Sequence, residues 1–288
     1  MPAAPALPSL SPSFRFPVSN LAQRILTALV GAVVVTAAVW LGGWVFGGLM
    51  AVVAVVGQAE LYGLCRKAGA DPVVPLGLAF GALAALAALV PAAPVGLILG
   101  TIAIVVATLY RTSETPLLDA GTTLFGIAYP AALVGTIVRL RVSEAAWLGE
   151  SGAFWLTVAL FFCVWGADSF AYIAGRLFGA HPLFPRVSPK KTWEGAVGGA
   201  LGALALAAGF KTMVLDDVLG WADVGVVALA CGVVAPFGDL AESLFKRSTG
   251  TKDSATWLPG HGGMLDRIDA AVVAVPLVVI YLDAVYGL

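Results

Sequence analysis

The stretch VGAVVVTAAVWL (30–41) decides the class of fold. It contains no ionisable side chain, and its apolar residues do not alternate with polar ones as the strands of a membrane barrel would. A segment exposed to lipid must satisfy its own backbone hydrogen bonds, which a helix does within itself. We therefore expect this stretch to belong to a membrane-spanning helix.

The rest of the chain has the same character. Its 288 residues are 60% hydrophobic and 11% charged, whereas an ordinary soluble domain carries about 25% charged residues. Apolar runs near the roughly 20 residues needed to cross hydrocarbon recur along the chain. The composition excludes an ordinary soluble domain and predicts an all-α fold, a polytopic bundle of transmembrane helices.

We expect about nine membrane helices, at 24–41, 44–64, 73–90, 94–110, 117–138, 153–176, 195–214, 221–238 and 270–287. Residues 1–23 are interpreted as a flexible tail, followed by an uncleaved first span. Residues 24–150, whose five spans are almost free of polar groups, are interpreted as an N-terminal half that provides packing. Residues 151–288 contain carboxylates within the spans and are interpreted as the catalytic half, with its loops.

The basic residues predict the orientation of these helices. With nine spans, one side of the membrane receives only three of the 16 Lys and Arg residues, namely Arg139, Arg141 and Lys211. The other side receives the tail and the remaining basic residues. Because loops rich in Lys and Arg stay in the cytoplasm, the amino terminus is predicted to be cytoplasmic.

The polar segment SLFKRSTGTKDSATWLPGHGGMLDRID (243–269) holds eight ionisable side chains between two apolar stretches. Just before and within it, Asp239, Glu242, Ser243 and Lys246 are spaced to share one helix face. An ion pair of Asp239 with Lys246 at the membrane surface is the alternative to a catalytic role.

Asp266 and Asp269 are again three residues apart, at the start of the last span. Acidic side chains in a first helical turn also stabilise the helix dipole, which is the alternative interpretation. If the two helix ends converge, Asp239, Asp266 and Asp269 could bind one divalent cation. Oxygen ligands without paired Cys or His favour Mg²⁺.

The residues between these carboxylates combine basic side chains with glycines that permit turns able to present N–H groups to an anion. A flexible cytoplasmic loop is the alternative, and His261 alone is more typical of a hydrogen-bonding loop residue. A second polar segment, 167–195, places Asp168, Tyr172 and Arg176 on one helical stripe, either as functional groups or as a structural relay.

Three smaller features complete the sequence pattern. SPKKT (188–192) is interpreted as a basic turn that contacts phosphate, or as a helix cap with topogenic lysines. Glu60, between Gln58 and Tyr62, is interpreted as an interhelical hydrogen-bonding group. Asp283 is expected to be solvated at the outer end of the last span.

The segment resembles the signature of the integral-membrane phosphatidate cytidylyltransferases, also called CDP-diacylglycerol synthases. That signature reads S-x-x-K-R, four residues, K-D, a small residue, L-P-x-H-G-G and D-R-x-D. It is met by Ser243, Lys246-Arg247, Lys252-Asp253, Ala255, Leu258-Pro259, His261-Gly262-Gly263, Asp266-Arg267 and Asp269. The resemblance covers about 165–270, and the earlier spans are similar to the family only in hydropathy.

The resemblance implies transfer of CMP from CTP to phosphatidate with Mg²⁺, releasing pyrophosphate. The expected catalytic residues are Asp239, Asp266, Asp269, Lys252 and His261, with the three aspartates as metal ligands. The expected substrate contacts are Asp168, Arg176, Ser188, Lys190, Lys191, Ser243, Lys246, Arg247, Asp253, Gly262, Gly263 and Arg267.

Two other functions remain open from the sequence. A CTP-dependent lipid-alcohol kinase would use a similar site and release CDP, and a membrane transporter would use intramembrane carboxylates for ion coupling. The expected partners are CTP, phosphatidate and the bilayer of a bacterial inner membrane, with the active site facing the cytoplasm. The sequence leaves a homodimer open and gives no indication of nucleic-acid binding.

Overall fold

The computed structural model describes residues 20–255 and 262–288. They form α1 (Asn20–Leu41), α2 (Gly43–Lys67), α3 (Val74–Ala85), α4 (Ala93–Thr108), α5 (Pro116–Gly126), α6 (Leu133–Arg141), α7 (Gly149–Phe178), β1 (Pro182–Phe184), β2 (Ser188–Thr192), α8 (Trp193–Val214), α9 (Trp221–Leu229), α10 (Ala235–Ser248), α11 (Leu265–Ile268) and α12 (Ala271–Tyr286). Two π-helical segments, Ile127–Ala132 and Ala230–Val234, join α5 to α6 and α9 to α10 into continuous rods.

Five rods are long and apolar enough to cross a membrane, at Gly43–Lys67, Pro116–Arg141, Gly149–Phe178, Trp193–Val214 and Trp221–Ser248. Shorter apolar helices at Leu29–Leu41, Val74–Ala85, Ala93–Thr108 and Ala271–Tyr286 accompany them among the described residues. The predicted helical bundle is confirmed and the chain is an integral membrane protein. The count of about nine spans stays a prediction, because α3 at about 1.5 Å per residue is too short to cross hydrocarbon alone.

The helices differ from their predicted bounds in informative ways. The first begins at Asn20, so residues 20–23 of the expected tail are helical, and the remaining 1–19 lie outside the described residues. The helix predicted to end at 238 continues to Ser248. Asp239 therefore lies inside a long rod and not at its end.

The connection between α7 and α8 also departs from the purely helical prediction. Residues 182–192 form a two-stranded antiparallel hairpin in which Pro182 pairs with Thr192 and Phe184 with Ser188. The predicted basic turn at 188–192 is thus β2. Thr192 also caps α8, because its side chain accepts a hydrogen bond from the Gly195 N–H at 3.1 Å.

Toward the ends of α1, α6 and α12, buried polar groups form hydrogen bonds with one another or with the backbone. The Arg141 guanidinium donates to the carbonyl oxygen of Val39 at 2.6 Å, and Asp223 accepts from the Tyr281 hydroxyl at 2.7 Å. Asp283, expected to be solvated, forms an ion pair with Arg139 at 2.7 Å. These contacts join different helices, so the polar groups at this end of the bundle stabilise its packing.

Helices α7 and α8 pack at backbone distance because one face of α8 is lined with glycine. A Cβ atom on Gly195 or Gly199 would lie 2.9 Å from the carbonyl oxygen of Ala171 or Ala167. Small residues let membrane helices approach at backbone distance, which replaces the hydrophobic driving force absent in lipid. This pair fixes the hairpin that follows α7.

We predict that Gly199→Val separates α7 from α8 and lowers the free energy of unfolding by about 1–3 kcal/mol. Gly209→Val is the matched control, because it adds the same side chain to the same helix and its Cβ meets no atom within 4 Å. Thermal unfolding in detergent measures both. Equal loss in the two variants would contradict the packing account.

Candidate active site

The centre of the site is an acidic trio formed by Asp239, Glu242 and Asp269. One carboxylate oxygen from each residue lies within 4.8 Å of the others. Asp239 and Glu242 lie one turn apart on α10, and Asp269 lies in the turn between α11 and α12. Gly238 allows this approach, because a Cβ atom there would lie 2.4 Å from the carbonyl oxygen of Asp269. The sequence therefore brings two helices together where their carboxylates meet.

The donor set of the acidic trio fits a hard divalent cation, which carboxylate oxygens bind well. Glu242 is 0% exposed, and its Oε1 atom has no hydrogen-bond partner among the described residues. Burial, together with the negative charges of Asp239 and Glu242, raises the pKa of Asp269 well above its ordinary value. An added positive charge would relieve this repulsion.

The third carboxylate of the trio differs from the sequence prediction. Asp239 and Asp269 lie together, but Glu242 joins them where Asp266 was expected. Asp266 instead accepts a hydrogen bond from Lys246 at 2.5 Å. The spacing of the acids did not distinguish these arrangements, because both pairs are three residues apart on a helical segment.

Lys246 is buried and forms ion pairs with two carboxylates, Glu242 of the acidic trio and Asp266. Its Nζ atom lies 2.8 Å from Glu242 Oε2 and 2.5 Å from Asp266 Oδ1. Burial opposes ionisation of Asp266, but the hydrogen bonds from Lys246 and from the Gly263 N–H outweigh it and hold the pKa of Asp266 below its ordinary value. Lys246 thus supplies positive charge directly behind the acidic trio. The alternative pairing of Lys246 with Asp239 is not the one formed.

Lys191 supplies a second positive charge beside the acidic trio. Its Nζ atom lies 2.5 Å from Asp239 Oδ2 and donates to the carbonyl oxygen of Pro236 at 3.3 Å. Ser243 donates to Asp239 Oδ1 at 3.3 Å. Asp168 lies on an exposed part of α7 within electrostatic reach of Lys191 and Asp239. The two polar segments predicted to share chemistry therefore converge on one place.

Other predicted site residues that the structure describes do not join the trio. Gly262 adopts a φ of 76° and lies against Asp266, and Gly263 donates to Asp266 Oδ2 at 2.8 Å. His261, with Leu258 and Pro259, lies outside the described residues. The remaining residues are exposed except for Ser188, which is half-buried, and they comprise Arg176, Ser188, Lys190, Arg247, Lys252, Asp253 and Arg267.

The stripe on α7 is partly a structural contact. Arg176 donates to the Tyr172 hydroxyl at 3.1 Å, as the relay interpretation expects for these two residues. Arg247 likewise donates to the carbonyl oxygen of Thr251 at 3.1 Å, which holds the turn after α10. Arg176 and Arg247 are exposed at the rim of the site, together with Lys190, Lys252 and Arg267, and can contact an anion from solution.

Two residues of the N-terminal half reach the site. Glu60 accepts hydrogen bonds from the Met264 and Leu265 N–H groups, both at 2.8 Å, which confirms its interpretation as an interhelical group. Tyr129 is 9% exposed, and its hydroxyl, without a hydrogen-bond partner among the described residues, lies within electrostatic reach of the acidic trio. A carboxylate in an apolar span signalled Glu60, and no sequence pattern signalled Tyr129.

Comparison with known proteins places this arrangement in a family. The sequence model of the Cytidylyltransferase family matches residues 22–285. A phosphatidate cytidylyltransferase of Synechocystis sp. is 31% identical over 282 residues, which cover 89% of this chain and 94% of that protein.

Two further relatives match shorter regions more strongly. A phosphatidate cytidylyltransferase of Haemophilus influenzae is 43% identical over 170 residues, or 57% of each chain. One of Brucella abortus is 47% identical over 132 residues, or 46% of this chain and 48% of that protein. The aligned region thus spans about half the length of these two relatives. The resemblance found in residues 243–269 is confirmed, and the chain belongs to the Cytidylyltransferase family.

Proposed function

We propose that this chain transfers the CMP moiety of CTP to phosphatidate, which yields CDP-diacylglycerol and pyrophosphate. The observation that carries the proposal is the acidic trio, which lies between Lys191 and Lys246 where membrane rods meet a polar hairpin and loop. Family membership and the activity named for the relatives support the same reaction. A metal-assisted reaction between two phosphate groups accounts for this combination of charges.

The acidic trio would hold one divalent cation, and Mg²⁺ suits an all-oxygen donor set at a phosphate site. When bound, the cation stabilises charge that develops on the phosphate oxygens. Asp239 and Asp269 keep their predicted roles as ligands, and Glu242 joins them. We assign Asp266 to holding Lys246 in place, since Lys246 occupies its Oδ1 atom and the Ser254 and Gly263 N–H groups occupy its Oδ2 atom.

The reaction brings two anions together, so neutralisation and orientation dominate catalysis. An oxygen of the phosphatidate phosphate forms a bond to the α-phosphorus of CTP, and the bond from that phosphorus to the bridging oxygen breaks as pyrophosphate leaves. The lipid phosphate is already ionised, so no protein nucleophile is required. Lys191 and Lys246 provide fixed positive charge, and the rim residues bind the phosphates of incoming CTP, namely Lys190, Arg247, Lys252 and Arg267.

The location follows from the substrates. Acyl chains remain in the bilayer while the head group meets a water-soluble nucleotide, so the site faces the cytoplasm of a bacterial inner membrane. We retain a nine-span topology with a cytoplasmic amino terminus. Residues 24–150 form the packing half and residues 151–288 the catalytic half. Two copies of the chain would assemble as a homodimer. The contacts of Glu60 and the location of Tyr129 support a contribution of the first half to the site.

The reaction is tested with purified protein and CTP labelled separately in the α- and γ-phosphates. We expect label from the α-phosphate in lipid and label from the γ-phosphate in pyrophosphate, both dependent on phosphatidate. A lipid-alcohol kinase would place the γ-label in lipid and release CDP. Uptake into proteoliposomes without turnover of CTP would indicate a transporter. Either result would overturn the proposal.

Asp239→Asn and Asp269→Asn should each lower turnover by roughly 100-fold or more, because the cation contributes several kcal/mol of transition-state stabilisation. Membrane insertion should be unchanged. Asp283→Asn is the control, since Asp283 lies near the end of α12 and pairs with Arg139, away from the acidic trio. Wild-type turnover in both site variants would remove the metal assignment.

Lys246→Met should abolish turnover and lower the free energy of unfolding by about 3–5 kcal/mol, since it leaves Glu242 and Asp266 buried without their shared positive charge. The matched control is Arg247→Met, because Arg247 is the next residue on the same helix and is exposed. Thermal unfolding in detergent measures the difference. If both variants were equally stable, the buried ion pairs would not have the role assigned to them.

A further inference from the structure

Glu60, on α2 of the N-terminal half, forms hydrogen bonds with the residues on both sides of 255–263, a stretch of the signature segment. Its Oε2 atom accepts from the Ser254 hydroxyl at 2.7 Å and from the Leu265 N–H at 2.8 Å, while its Oε1 atom accepts from the Met264 N–H at 2.8 Å. Ser254 precedes residues 255–263, and Met264 follows them. One buried carboxylate therefore holds the two flanks at a fixed separation.

The same flanks position Asp266. Its Oδ2 atom accepts from the Ser254 N–H at 3.2 Å and from the Gly263 N–H at 2.8 Å. Its Oδ1 atom accepts from Lys246, which in turn contacts Glu242 of the acidic trio. A continuous series of contacts thus runs from α2 through Ser254 and Asp266 to the residues proposed to bind the cation.

Close packing leaves little room for a side chain at positions 57 and 263. A Cβ atom on Gly263 would lie 2.0 Å from the Ser254 hydroxyl and 2.4 Å from Glu60 Oε2. Gly57, one turn before Glu60, brings α2 against Ile268, whose Cδ1 atom would lie 3.3 Å from a Cβ atom there. The glycines leave room for a carboxylate at position 60 and for direct contact between α2 and α11.

A carboxylate suits these partners better than an amide. Both backbone partners are N–H donors, and each oxygen of Glu60 accepts from one of them. A glutamine can present an oxygen to only one of these groups, because its NH₂ group would face the other donor. The charged acceptor also forms stronger hydrogen bonds than a neutral one.

We propose that Glu60 is a positioning residue for the reaction: it holds the flanks of residues 255–263 so that Asp266 keeps Lys246 and Glu242 in their reactive arrangement. This inference rests on the proposed function. It gives the N-terminal half a part in catalysis that is transmitted through contacts, without any contact of Glu60 with substrate. Glu60 is therefore expected to affect turnover more than nucleotide affinity.

The first measurement is steady-state kinetics of Glu60→Gln per folded molecule. Misplacement of a catalytic group by about 1 Å can cost about 100-fold in rate, so we expect kcat to fall by about 10- to 100-fold while KM for CTP changes much less. Asp119→Asn is the matched control. Asp119 is also buried in the N-terminal half and accepts from the Asp71 N–H at 2.7 Å.

The second measurement does not depend on activity. Limited trypsin digestion in detergent compares cleavage after Lys252, two residues before Ser254, with cleavage after Lys67, since cleavage reports the population of locally open chain. Glu60→Gln should accelerate cleavage at Lys252 relative to Lys67, and Asp119→Asn should not. Because this readout needs no substrate, it tests Glu60 even if the wild-type protein fails the CTP assay.

Ser254→Ala is a milder second variant that removes one link and keeps Glu60. It should show a smaller loss of kcat and faster cleavage at Lys252, and adding it to Glu60→Gln should have less than an additive effect. The proposal is overturned if Glu60→Gln keeps a kcat within twofold of the Asp119→Asn value. It is also overturned if the relative cleavage at Lys252 is unchanged.

Discussion

Three mutually repelling carboxylates, held together between α10 and the start of α12, are the constraint on which the rest of the site depends. Asp239, Glu242 and Asp269 place oxygens within 4.8 Å of one another, and Glu242 is fully buried. Such groups are costly in or near hydrocarbon unless positive charge accompanies them. Lys246 and Lys191 lie beside the trio, and a divalent cation would complete the balance. The helix contacts around the trio keep these charges at close range.

That constraint explains how distant parts of the chain serve one place. Gly238 lets α10 approach Asp269 at backbone distance, and the hairpin after α7 brings Lys191 to Asp239. Glu60 holds the segment before α11 from the opposite side. The resulting site is acidic at its centre and basic at its rim, as expected for an enzyme that aligns two phosphate groups at a membrane surface.

The sequence predicted the helical class, the approximate position of every rod and the family, because apolar runs and a long mixed-charge signature are local properties. It placed the end of α10 ten residues early, since the mostly polar LAESLFKRS (240–248) resembles a loop in hydropathy but continues as helix. The short hairpin was missed because Pro189 and two lysines are not typical of strands. For the hairpin, pairing between the two strands outweighed local preference.

For a different reason, the sequence could not predict which three carboxylates form the acidic trio. Asp266 and Glu242 have equivalent helical spacing, and both contact Lys246. The second oxygen of Asp266 accepts from the Ser254 and Gly263 N–H groups, whereas Glu242 Oε1 is left for the trio. Glu60 contacts residues about 200 positions away, which no local pattern reveals.

The most direct test is an experimental structure with Mn²⁺ in place of Mg²⁺, examined by anomalous scattering. The account predicts a cation peak about 2.0–2.3 Å from oxygens of Asp239, Glu242 and Asp269, with Asp266 still paired to Lys246. A peak bound by Asp266 after displacement of Lys246, or no peak between the three carboxylates, would contradict it.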